Sequence, residues 1–484
     1  MYIRKEGNTL QMRVWLRNFV HKVQHQAMAD QQNIFLAKSE VKASDLEHKR
    51  KVAFNIQKYN DSVVKGKHQY ANLELARQKA KNIKWKTIEH LDTYLEQFEK
   101  NFTARGGKVI WAENAEEAQQ AVLEICREHN TKQVVKAKSM VTEEIHLNEF
   151  LGENGIESVE TDLGEYIQQL DGEAPYHIVT PAMHKSKEDV AKLFHEKLGT
   201  EPHLSPSEIT MIARHKLRAK YVSAQVGVTG GNFLLADIGG VCVTENEGNG
   251  RLSTSFPDVH IAIVGIEKLL PSVNDLHLFW PLLATFGTGQ QVTVYNSIFT
   301  GPRRAGETDG PREMYVILLD NGRTNLMRKE VRESMYCIRC GSCLNACPVY
   351  KNIGGHAYGA TYSGPIGAVI TPHLKGMNEY KHLSYASSLC GNCTEVCPVK
   401  INIHEMLLEN RKIAVEENLN GFAEHAAWAG WEKTMLSRGL LNIIGPATKG
   451  KAVNYLFKDS WVKHRSQLVF AEKSFNKMWK EKKP

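Results

Sequence analysis

The sequence predicts an α/β domain flanked by a helical amino-terminal region and a mainly helical, cysteine-rich carboxy-terminal domain. Three observations predict it. The first hundred residues set apolar side chains at three- and four-residue spacing among Lys and Glu, the pattern of amphipathic helices. From Gly106 onward, short β-branched runs alternate with helix-like segments, the pattern of βαβ units on a largely parallel sheet. Seven of the nine cysteines fall between residues 337 and 398. With 484 residues, 42% hydrophobic and 24% charged, the balance is that of a globular chain of several units.

Residues 1–100 are read as the helical region, most clearly in LELARQKAKNIKWKTIEHLDTYLEQFEKNFTA (73–104), and no catalytic motif is visible there. Arg4, Lys5, Arg13, Arg17 and Lys22 open the chain without the apolar core and small-residue cleavage site of a secretory signal. Met28 is a second plausible start, so the residues before it are expected to be an extension without a packed role. The longest apolar runs, HLFWPLLATF (277–286) and LLNIIGPA (440–447), fall short of the roughly 20 residues that span a bilayer. The expectation is a cytoplasmic protein with no transmembrane span.

Residues 101–325 are assigned to the α/β domain. Its strands are expected at KVIWA (108–112), QVVKAK (133–138), ESVETD (157–162) and HIVTP (177–181), most of them with a helical segment to follow. Closer strands are expected at VGVTG, FLLADIGGVCVTEN, VHIAIVGIEKLLP, QVTVYNSI and EMYVILLD, closing the domain near Asn321. The glycine-rich GVTGGNFLLADIGG (227–240) and TENEGNGR (244–251) offer backbone to an anion, but neither is a dinucleotide fingerprint. A tight hairpin is the favoured reading. Asp237, Glu245, Asn246, Glu247 and Arg251 are expected to gather near this turn. Glu245 and Glu247 are the candidates for an enzymatic base, with no identifiable partner. In KSMVTEE, Lys138, Ser139 and Thr142 mark a strand-to-helix junction read as an N-cap. Cys126 and Cys242 are read as buried apolar residues.

Residues 326–415 hold the chemistry. CIRCGSCLNACP (337–348) and, forty-one residues later, CGNCTEVCP (390–398) carry iron–sulfur spacing, in which C-x2-C-x2-C aims three thiolates at one cluster and the C-x3-C-P ending turns the fourth toward another. The crossed assignment is Cys337, Cys340, Cys343 and Cys397 on one cluster, with Cys347, Cys390 and Cys393 on a second. Ser387 stands where the register places the missing ligand. A serine oxygen, a water, a residue elsewhere such as His356 or His373, or a three-iron cluster are the open alternatives. Zinc needs neither the third cysteine nor the repeated C-x3-C-P ending, and an odd cysteine count without a secretion signal argues against disulfides. Between the runs, NIGGHAYGATYSGPIGAVITP is expected to be a close-packed loop, and VKINIHEMLLENRKIAVEEN a helix.

Residues 416–484 are read as a basic helical region. Ten Lys or Arg against three Asp or Glu between 449 and 484 suit a solvated tail, or a docking strip for an acidic partner or an anionic membrane surface. The formal charge of +7 comes with no nucleic-acid motif.

AKSMVTEEI, ETDLGEYI, VTGGNFLLADIGG and NEGNGRLSTSFP, followed by CIRCGSCLNACPVY, GGHAYGATYSGPIGAV and YASSLCGNCTEVCPVKI, resemble lactate utilisation protein B over roughly residues 30–450. The resemblance implies an α/β domain of the sugar-phosphate isomerase and CoA-transferase type, followed by a ferredoxin domain with two iron–sulfur clusters, [4Fe–4S] or, for the second, [3Fe–4S]. That family also has three cysteines in its second run. The resemblance further implies an electron-transfer subunit, rather than a catalyst by itself, in a three-component system that oxidises L-lactate to pyruvate. Its partners would be the other two lactate-utilisation subunits and an unidentified electron acceptor. An α/β-domain enzyme acting on a phosphorylated sugar or thioester, and a regulatory or structural iron–sulfur protein, are the alternatives.

Overall fold

The computed structural model describes residues 31–328, 330–458 and 461–482; the basic opening residues and Met28 lie outside them. Among the described residues ten strands run in chain order: β1 (Lys108–Ala112), β2 (Gln133–Lys136), β3 (Glu157–Glu160), β4 (Val226–Thr229), β5 (Phe233–Leu235), β6 (Gly240–Glu245), β7 (Val259–Gly265), β8 (Leu269–Leu270), β9 (Tyr295–Phe299) and β10 (Glu313–Leu319). Six form a wholly parallel sheet in the order β1-β10-β7-β4-β2-β3. The other four form a mixed sheet, β8-β5-β6-β9, around the antiparallel β5–β6 pair. This is the α/β architecture that the alternating runs predict, and the glycine-rich segment is the expected hairpin.

Every residue of β7 is buried, as in a central parallel strand covered on both faces. Val259, Ile261 and Ile263, with Ile317 of β10, pack against Val122, Ile125 and Cys126 of the helix Ala115–Glu128. The alternate residues Ala262, Val264, Val316 and Leu318 face a larger core. That core also holds Val52 and Ile56, Phe98 and Phe102, the mixed sheet, and Tyr350, Ile366 and Met406 of the cysteine-rich region. The amino-terminal helices and the cysteine-rich segment therefore share one apolar interior with the second sheet.

Those helices begin at 31–44 and continue as Leu46–Lys67, Leu73–Glu89 and Leu91–Thr103. Asp45 and Asn72 cap the second and third by accepting the His48 and Leu75 N–H groups. At the hairpin, Gly239 has φ +57°, and a Cβ there would lie 2.3 Å from the Phe102 nitrogen. Only glycine lets the turn sit on the helix Leu91–Thr103.

Several sequence expectations change. HIVTP forms no strand, because His177 Nδ1 accepts the N–H groups of Val179 (3.1 Å) and Thr180 (3.3 Å) and folds the segment into a turn. The IGAVITP end of the expected loop lies in the helix Gly364–Lys375, while Tyr358 and Tyr362 before it are buried as expected. Asp237 does not join Glu245: it lies at the opposite end of β6, held by Ser272 Oγ and the Val273 N–H. VKINIHEMLLENRKIAVEEN contains the expected helix, Ile403–Glu416. Cys126 and Cys242 are fully buried.

The chain divides at Ile413 and Ala414 into two compact units. In the second, the helices Phe422–Leu436, Pro446–Leu456 and Phe475–Glu481 expose Phe422, Trp428, Trp431, Leu456 and Trp479. Among the described residues, no helix is long and apolar enough to cross a membrane.

Candidate iron-sulfur site

The two cysteine runs are a twelve-residue repeat, CIRCGSCLNACP and SSLCGNCTEVCP, and their backbones repeat as well. Arg339 and Leu389, two residues after the first position of each run, have φ +58° and +52°; Gly341 and Gly391 have +80° and +78°. Each glycine starts a short helix, Ser342–Ala346 or Asn392–Glu395. In the first run the Arg339 N–H points at Cys337 Sγ (3.4 Å). In the second the Leu389 N–H donates to Ser387 Oγ (3.1 Å). Ser387 thus occupies the structural position of Cys337, with its oxygen taking the same backbone donor.

Cys337, Cys340, Cys343 and Cys397 line one apolar cavity with Ile178, Ile366, Val399 and Ile401. Cys347 is the electrostatic neighbour of Cys390 and Cys393. The fold brings together the members of each crossed set. Backbone donors point at the sulfurs: Ile401 N–H to Cys397 (3.3 Å) and Tyr350 N–H to Cys347 (3.5 Å). Burial pushes the Cys340 thiol up to about 11 and that of Cys397 to about 12. At exposed Cys390 the Asn392 N–H lowers it. Soft thiolate donors, an apolar enclosure and N–H groups aimed at sulfur are the donor set that iron–sulfur clusters use.

The helices around this cavity bring charges that the cysteine spacing does not announce. Lys84, fully buried, donates to the Glu267 carbonyl (2.6 Å) and the Leu269 carbonyl (3.2 Å). Arg323 donates Nε to Glu267 (2.6 Å) and makes a two-pronged pair with Glu144 (2.9 and 2.8 Å), which also accepts the Tyr362 hydroxyl. Arg339 reaches Glu267 at 3.3 Å. Burial raises Glu267, but the charges of Arg323 and Arg339 outweigh it and hold the carboxyl down to about 2. Lys268 adds a fourth buried cation against these two carboxylates. On the second run, Arg77 donates to the Cys397 carbonyl (2.9 Å) and the Glu395 carbonyl (2.7 Å). Arg339 lies within a cysteine run, but Lys84 and Arg77 look like surface positions of amphipathic helices, and Lys268 and Arg323 carry no local signal.

The remaining candidates fall elsewhere. His356 Nε2 donates to the Ala174 carbonyl (2.7 Å) and lies with Glu173 and His184, their ligand atoms within 4.8 Å of one another. His373 Nε2 meets Asn410 Oδ1 (2.8 Å). Ser139 is the expected N-cap of Met140–Glu144, accepting from Thr142. Glu245 and Glu247 do have partners. Glu245 accepts the Gly250 (2.6 Å) and Arg251 (2.8 Å) N–H groups and caps the helix Asn249–Ser255, and Glu247 accepts the Leu163 N–H (3.0 Å).

Two protein families match this arrangement: a LUD domain over residues 95–319 and a 4Fe-4S dicluster domain over residues 333–401. Lactate utilization protein B of Bacillus velezensis is 48% identical over 347 residues, covering 72% of this chain and 73% of its own length. The chain belongs to the lactate utilization protein B family. The member of that family from Bacillus subtilis strain 168 is 47% identical, covering 72% of each chain, and that of Shouchella clausii is 45% identical, covering 74% of this chain and 76% of its own. The dicluster match spans every cysteine of both runs, so the cysteine-rich region of this family member is an iron–sulfur domain.

Proposed function

We propose that this chain is the iron–sulfur electron-transfer subunit of a complex that oxidises L-lactate to pyruvate. The observation that carries the proposal is the gathering of Cys337, Cys340, Cys343 and Cys397 on one apolar cavity, with Cys347 beside Cys390 and Cys393. Clusters held there supply single-electron carriage, which suits passing on electrons released from lactate to the two companion subunits or a further acceptor.

The residues do the rest. Ile178, Ile366, Val399 and Ile401 keep water from the first set of thiolates. The Arg339, Ile401 and Tyr350 N–H groups, with the buried cation Lys84, offset the negative charge that thiolate ligation gathers. The second set opens to solvent at Cys390, which suits exchange with a partner. Ser387 Oγ, in the place of Cys337, is its fourth ligand in this reading. The reading of the α/β domain as an enzyme on a phosphorylated sugar or thioester loses one of its two named bases, because Glu245 is committed to two backbone N–H groups, and keeps Glu247, which accepts one.

Electron paramagnetic resonance of the protein, purified without oxygen with its companion subunits, tests the role. Reduced-cluster signals should appear on adding L-lactate. Signals that dithionite raises and lactate does not would remove lactate as the electron source.

A further inference from the structure

A second cavity, of about 370 Å³, lies where the parallel sheet ends. Lys138 and Ser139 follow β2, Asp162 follows β3, Gly230 and Gly231 follow β4, and Lys268 follows β7; all line it. Carboxyl ends of adjacent parallel strands are where open α/β sheets bind ligands, and the volume is within the usual range of small-molecule sites. Arg339, Cys340 and Tyr362 close its far wall. Cys340 and Arg339 therefore border both this cavity and the one lined by four cysteines.

Two buried basic groups there lack a full set of partners. Lys268 is 7% exposed, and among the described residues its ammonium has no hydrogen bond or ion pair. The Arg339 side chain is 10% exposed and lies 4.5 Å over the Tyr362 ring; one nitrogen reaches Glu267, but Nε and Nη1 have no hydrogen-bond partner. Lys268 lines the larger cavity and not the cysteine-lined one. Glu267 is the one carboxylate that both cations share; buried donors left without hydrogen-bond partners are costly, and an anion entering this cavity relieves that cost.

The opposite charges set what kind of anion fits. Asp162, Glu245 and Glu247 also line the cavity, and Glu247 feels Asp162, Lys138 and Glu245, whereas Lys268 feels Arg339, Glu267 and Cys337. The cavity thus has a basic end beside Cys340 and an acidic end that repels a second negative group. The one phosphate-like cradle nearby, the start of the helix Asn249–Ser255, is already filled by the Glu245 carboxylate. A singly charged carboxylate with a neutral polar tail suits these walls better than a phosphate.

We infer that this cavity binds a small monocarboxylate of the 2-hydroxy or 2-oxo acid class, its carboxylate held by Lys268 and Arg339 against the wall formed by Cys340. The choice of acid rests on the lactate reading above; the anion site rests on the cavity's own charges.

Isothermal titration of the anaerobically purified, cluster-loaded protein with pyruvate, L-lactate and inorganic phosphate tests it. Pyruvate and lactate should bind saturably and phosphate should compete poorly. Lys268→Met should weaken both acids about tenfold or more, the size of one charge-assisted hydrogen bond, and Lys268→Arg should restore most of the affinity. Absence of saturable binding to the wild type, tighter binding of phosphate than of pyruvate, or unchanged affinity in folded Lys268→Met would overturn the inference. The wild-type titration decides even if Lys268→Met fails to fold. Acid binding that depends on Lys268, without lactate-driven cluster reduction, would leave this site standing and remove only the electron-transfer role.

Discussion

The runs Cys337–Pro348 and Ser387–Pro398 fold alike, down to the left-handed residue before the second ligand and the glycine after it, yet their surroundings differ. Cys340 is 8% exposed, and Lys84, Lys268 and Arg339 interact electrostatically with Cys337 of the same set, with Glu267 as their counter-charge. Cys390 is exposed, and its thiol is held down by a backbone N–H. Local spacing builds the ligand loop in both. Residues distant in sequence decide how dry and how positive each site is, and those two properties, with hydrogen bonds to sulfur, set a cluster's potential. The first run therefore faces the α/β domain, and the second opens to solvent at Cys390.

The comparison breaks most readily at Arg323. Replacing it with Ala leaves Glu144 and Glu267 buried without their shared cation, a loss of about 3–5 kcal/mol for a broken buried pair. Arg77→Ala removes the carbonyl contacts to the second run from a more accessible position, and the cost should be about 1–1.5 kcal/mol. Urea unfolding of the two variants checks the ranking. Equal losses would mean that the buried charges do not set the first run apart.

Ser387 tests whether the repeat extends to ligation. Ser387→Ala should lose about one iron of eight, while Ser387→Cys should keep all of them and change only the second run's spectrum. Unchanged iron and spectra in both would remove serine from the ligand set. A smaller contrast appears on taking the metal away. In iron-free protein, Cys390 should be alkylated roughly tenfold or more faster than Cys340, since thiolate is the reactive form and burial raises Cys340 to about 11. Peptide mapping after brief labelling reads this order, and comparable rates would deny the difference in exposure.

Much of this was legible in the sequence, for physical reasons. Ligand spacing is local, so the repeat of the two runs and the place of Ser387 opposite Cys337 follow from the register alone. KVIWA, QVVKAK and EMYVILLD announce β1, β2 and β10 because β-branched runs bounded by polar residues have few other uses. HIVTP has the same composition and fails because the His177 ring outcompetes a strand for the Val179 and Thr180 N–H groups. The mixed sheet was hidden in part, since β8 is two residues long and pairs with β5 across thirty-odd positions. Lys84 could not be seen as functional: on a helix rich in lysine, nothing local distinguishes the one whose ammonium is buried against the Glu267 carbonyl. The cavity next to Cys340 was invisible for the same reason, being assembled from the ends of four strands.

Crossing of the two runs is the claim on which the rest depends. The most direct measurement is the low-temperature electron paramagnetic resonance of dithionite-reduced Cys347→Ser and Cys397→Ser, with Cys340→Ser and Cys390→Ser as references. The Cys397→Ser spectrum should match that of Cys340→Ser, and the Cys347→Ser spectrum that of Cys390→Ser. If Cys347→Ser instead matched Cys340→Ser, and Cys397→Ser matched Cys390→Ser, each run would hold its own cluster and the crossed arrangement would be wrong.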